Sequence, residues 1–123
     1  MNAARFVLVA ALMITLDANA VWAHSFPAQE TPSAGQTLPN SPSEISIKFD
    51  APIEHLFAQL QVIGANGTNL ATGTPEIGSD GYTMSVKVPP LAPGDYQVKW
   101  AVVCIDTHHT NGSYNFTVSG SHS

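Results

Sequence analysis

Asp106-Thr107-His108-His109 places a carboxylate and two imidazoles within four consecutive positions. On extended backbone, side chains two positions apart point to the same side, so Asp106 and His108 are expected to converge. His109 then points away, unless the turn at Thr110-Asn111-Gly112 begins early. His24 matters because of where it stands. A leader cut after Ala23 leaves it as the first residue, with a free α-amino group and an imidazole that can chelate one ion together. The resulting donor set is the His24 amine and imidazole, the His108 imidazole and the Asp106 carboxylate. Nitrogen and oxygen donors of this kind suit a tetragonal site, and that favours Cu(II) or Ni(II) over tetrahedral zinc.

The leader is legible on its own terms. Arg5 supplies a thin positive start, Phe6 to Leu16 is an apolar run of eleven residues, and Val21-Trp22-Ala23 places small residues where a signal peptidase reads. Asp17 ends the run well short of the about 20 residues needed to span a bilayer. A cut after Ala20 competes, since Ala18-Asn19-Ala20 fits the A-x-A pattern better, but it would leave three residues before His24 and abolish the chelate. We take residues 1–23 as the signal peptide. The mature chain is expected to be exported to the periplasm and not to insert in the membrane.

The remainder suits one domain, residues 24–119, followed by a flexible tail at 120–123. Its cations are Lys48, Lys87 and Lys99, and the chain carries a formal net charge of −5. That balance argues against nucleic acid and anionic membranes as partners and is mildly favourable for cations. The single cysteine, Cys104, excludes an internal disulfide, so the fold must hold by its core.

Apolar residues recur with a period of two. Ile45, Ile47 and Phe49 form one stripe, Leu60 and Val62 a second, and Tyr82, Met84, Val86 and Val88 a third. Tyr96, Val98, Trp100, Val102 and Cys104 form the longest, and Tyr114, Phe116 and Val118 the last. Between them lie turn formers: Pro32 to Pro42, Gly64 to Gly67, Gly78 to Gly81, Pro89 to Gly94 and Asn111-Gly112. The pattern predicts an all-β fold, an immunoglobulin-like Greek-key sandwich or barrel of about seven strands, with no long helix outside the leader. Leu91 to Tyr96 has the arrangement of a tyrosine corner, in which a tyrosine opening a strand bonds back to preceding backbone.

Taken singly, an Asp-x-His pair beside a turn is commonly a solvated loop, and a histidine near a processing point an ordinary arm residue. The combination of motifs is more specific. Thr31-Pro32-Ser33-Ala34-Gly35 follows His24, Ile45 to Phe49 gives a core strand, Leu91 to Trp100 reads LAPGDYQVKW, and Asp106 to Val118 reads DTHHTNGSYNFTV. In this order they resemble the T-P-x-x-G, L-x-x-G-x-Y-x-V-x-W and D-T-H-x-x-x-G-x-x-x-F-x-V motifs of the CopC family of periplasmic copper-binding proteins. The resemblance covers His24 to Val118. It implies a Greek-key β-barrel that carries one Cu(II) on His24, Asp106 and His108, acts in copper resistance or homeostasis without being an enzyme, and has a CopD-type inner-membrane transporter as partner.

Two departures from the family pattern narrow this reading. Many members have F-S-E-P-V-E after the first core strand, with a glutamate near the copper. Here the segment is Phe49-Asp50-Ala51-Pro52-Ile53-Glu54, so Ala51 takes that place, and Asp50 or Glu54 could contribute only from a loop. Some members also hold Cu(I) on a cluster of methionines and a histidine, whereas residues 50–82 here contain no methionine and only His55. Met84 and Trp100 read as core, Cys104 as a buried inert thiol, and His55, His109 and His122 as exposed non-ligands. The expectation is therefore a Cu(II)-only carrier. Two other classes stand beside it: a copper-dependent polysaccharide monooxygenase-like enzyme, which also uses an N-terminal histidine on a β-sandwich, and a metal-free immunoglobulin-like interaction module.

Overall fold

Period-two alternation becomes a strand wherever one face of the backbone ladder can be buried. The computed structural model describes residues 26–120, so the leader, its cut, His24 and His122 lie outside the described residues. Eight strands form two four-stranded sheets: β1 (Pro27–Thr31), β3 (Glu44–Phe49), β6 (Thr83–Lys87) and β5 (Thr72–Ile77) in one, and β2 (Thr37–Leu38), β8 (His109–Val118), β7 (Gly94–Val103) and β4 (Gln59–Ile63) in the other. All pairings are antiparallel except β2 with β8. No helix occurs among the described residues, as the stripes required.

The five stripes are the facing inner surfaces. Ile45, Ile47, Val62, Met84 and Val98 are fully buried, and Trp100 packs edge-on against Phe49 across the sandwich with ring centroids 5.2 Å apart. Tyr96, Val98, Trp100, Phe116 and Val118 share this one core. The tyrosine corner is present: the Tyr96 hydroxyl donates to the Ala92 carbonyl at 2.5 Å.

The eight strands among the described residues agree with the expectation of about seven, and the three that no stripe marks lie at the sheet edges. β1 and β5 each pair on one side only and bury little, so their sequences PAQET and TGTPEI show no apolar stripe. β2 is a two-residue strand inside the proline-bounded segment expected to be only turn. Asn111-Gly112 is a clearer correction, because it lies inside β8, paired with Ala101 and Trp100. A Cβ built on Gly112 would stand 2.7 Å from Trp100 Cζ2. Glycine at this position lets the indole lie flat on the neighbouring strand rather than reverse the chain.

One end of the sandwich gathers the start of β1, the ends of β3 and β7, and the starts of β4 and β8. The loop 50–58 and the turn 104–108 cross it together. Ile53 bridges Cys104, the Glu54 N–H donates to the Val103 carbonyl at 2.9 Å, and the Ile105 N–H to the Pro52 carbonyl at 3.3 Å.

Candidate metal centre

The reversal between β7 and β8 is one tight turn. The Thr107 N–H donates to the Cys104 carbonyl at 2.8 Å, and the Cys104 N–H to the His108 carbonyl at 2.8 Å. Thr107 takes the left-handed backbone conformation, with φ of 77°. Asp106 and His108 do converge, with Asp106 Oδ2 3.1 Å from His108 Nδ1 and the His108 N–H reaching Asp106 Oδ1 at 3.2 Å. Strand alternation is not the cause, since residues 105–107 are not extended; the left-handed residue between the pair brings them together.

Both side chains are about half exposed, open to an ion from solvent. The 3.1 Å between Nδ1 and Oδ2 lets both atoms reach one ion, which would take the place of any proton between them, since a neutral imidazole offers one ring nitrogen as a donor. His109 opens β8 opposite Val103, with its side chain exposed and the next residue, Thr110, buried. Cys104 is buried and Met84 is fully inside the core, both as expected.

Ala51 and Asp106 line one depression of about 290 Å³ with Pro52, Cys104 and Ile105. Ala51 thus stands beside the Asp106 turn, but its methyl cannot donate to a metal. Asp50 has a different task, one that no local pattern in the sequence signals. Its Oδ1 accepts the Phe26 N–H at 2.8 Å, and its own N–H donates to the Phe26 carbonyl at 2.9 Å. The two bonds clamp the start of β1 to the end of the sandwich that carries Asp106 and His108. The sequence separation of 24 residues is why reading along the chain missed it. Glu54 and His55 follow in the adjoining loop, half-buried and exposed respectively.

Among the described residues no group of three or more histidine, cysteine, aspartate or glutamate side chains could hold a metal ion. Asp106 and His108 are thus a candidate half-site that offers two donors. A separate depression of about 300 Å³ along β5 and β6 contains Glu44, Glu76 and Lys87 but no nitrogen or sulfur donor suited to copper.

The profile of the CopC domain matches residues 28–119. The chain belongs to the CopC domain family. Protein YobA of Escherichia coli K12 is 31% identical over 113 residues, covering 89% of this chain and 90% of that protein. The copper transport protein CutJ of Bacillus subtilis is 27% identical over 116 residues, which are 93% of this chain but only 21% of CutJ. The crystal structure of CopC from Methylosinus trichosporium OB3b superposes with a TM-score of 0.76 at 27% identity, covering 81% of this chain and 98% of that one. The family and the copper-named relatives give this CopC-family chain a copper-related function, with copper as its partner ion. No helix among the described residues is long and apolar enough to cross a membrane.

Proposed function

We propose that the chain is a periplasmic, non-enzymatic Cu(II) carrier whose mature form begins at His24 and binds one ion through the His24 amine and imidazole, the His108 imidazole and the Asp106 carboxylate. The observation that carries this is the Phe26–Asp50 clamp. Two residues extend at most about 7 Å, so a chain starting at His24 has its terminus confined close to the anchored Phe26. The clamp lies on the end of the sandwich that bears the Asp106–His108 pair, and this pair lacks the further donors a copper site requires. An N-terminal amine and imidazole complete a set suited to Cu(II).

The carrier serves copper resistance or hands its ion to a CopD-type inner-membrane transporter. Support for delivery comes from CutJ, where a segment like this chain is about a fifth of a longer copper transport protein. Cu(I) is not the cargo, because Met84 is the only methionine among the described residues and is fully buried.

Titration of the protein beginning at His24 tests the site. One Cu(II) should bind per chain, His108→Ala should weaken binding by two orders of magnitude or more, and Asp106→Ala should weaken it less, because water replaces an oxygen donor more readily than a nitrogen one. His109→Ala should leave binding unchanged. Loss of copper in His109→Ala with retention in His108→Ala would assign the wrong imidazole.

A further inference from the structure

The large apolar side chains exposed among the described residues are Phe26, Leu56, Phe57 and Ile105, at 48%, 68%, 72% and 54% of full exposure. They belong to one end of the molecule. Phe26 is tied to Asp50, Ile105 to Pro52, and Leu56 and Phe57 follow the Glu54–Val103 bond in the same loop. Ile105 also walls the depression that reaches Asp106. Phe57 holds a left-handed backbone with φ of 65°, a conformation unfavourable for a bulky residue, while presenting its ring to water. The ring takes no part in the hydrophobic core.

Carboxylates rim this apolar end: Asp50, Glu54 and Asp106. Of the three lysines, Lys48 stands opposite Thr83 near the end of β3 and acts electrostatically on Asp80, and Lys87 and Lys99 pair opposite Glu44 and Ser113. A second copy is a poor occupant, since four side chains fall short of the roughly 800 Å² per partner of a stable interface and both surfaces would be acidic. An anionic lipid surface would be repelled for the same reason. We propose that Phe26, Leu56, Phe57 and Ile105 form the docking face for a protein that accepts the copper, with an apolar centre ringed by lysine and arginine. This rests on the carrier reading above and adds where the handover occurs: contact on this face surrounds the half-site, so the acceptor's ligands meet the ion in a water-poor junction while opposite charges steer the approach.

The test places benzoylphenylalanine at position 57 of the full chain in its own cells, with position 74 on β5 as control, and sequences the photocrosslinked peptides. Position 57 should join one protein, through a peptide of apolar residues flanked by lysine or arginine, and Glu54→Lys in the same chain should cut the yield at least tenfold. Position 74 should not join it. Crosslinks to a second copy, to lipid or to nothing would overturn the proposal, as would a yield indifferent to Glu54→Lys. Purified Leu56→Ser/Phe57→Ser should still bind Cu(II) as the unaltered chain does, and loss of copper in that double variant would show that these residues belong to the binding site and overturn the docking assignment. If the unaltered chain binds no copper while the charge-dependent crosslink persists, the carrier reading fails and the docking face stands.

Discussion

Tyr114 lies on the buried side of β8 with its hydroxyl unpartnered inside the sandwich. Burial first, and the nearby negative charge of Glu30 second, push its phenol well above the ordinary value of 10.0. The unfolded chain therefore releases this proton above pH 10 while the folded chain keeps it, so stability falls as the pH rises through that range. Tyr114→Phe should flatten that fall, and near neutral pH it should raise unfolding stability by about 1 kcal/mol, since an unsatisfied buried polar group is removed without changing the ring. Denaturant melts at pH 7 and above pH 10 check both; a loss of stability at pH 7 would show the hydroxyl bonded to water. At the candidate metal centre, residue type and motif single out Asp106 and His108. Their meeting was not derivable from alternation, because a left-handed threonine is a property of the closed turn and leaves no mark in a two-residue spacing.

Strands with a buried face announce themselves, the edge strand β4 included through Leu60 and Val62, and the edge strands that bury little do not. β3, β6, β7 and the second half of β8 carry one apolar residue in two, whereas β1 and β5 are held by backbone ladders that any polar sequence can supply. Asn111-Gly112 misled for a related reason, since glycine signals either a turn or a close approach, and only the register with Trp100 distinguishes them. Gly112→Ala forces a methyl to within 2.7 Å of a rigid indole and should cost about 1–3 kcal/mol of stability, read as a lower denaturation midpoint. In the loop after β3, Asp50 anchors the backbone of Phe26. Asp50→Ala should leave the fold intact and the copper stoichiometry at one, yet weaken Cu(II) binding by about tenfold, the lower end of what loss of an outer positioning contact costs. Unchanged affinity would separate the clamp from the site.

At the scale of the whole molecule, the β-sandwich is a rigid frame that brings sequence-distant segments to one end: Phe26 just before β1, the loop after β3 and the turn before β8. Its copper-related role follows from family membership, while the proposed ligand set includes a residue before the first strand. The most direct measurement compares the Cu(II) affinity of two purified forms, one beginning at His24 and one retaining Ala23 before it. Loss of the terminal chelate should weaken binding by about 100-fold, about 2.8 kcal/mol, with the fold unchanged by circular dichroism. Equal affinity in the two forms would contradict the assignment of the His24 amine to the copper.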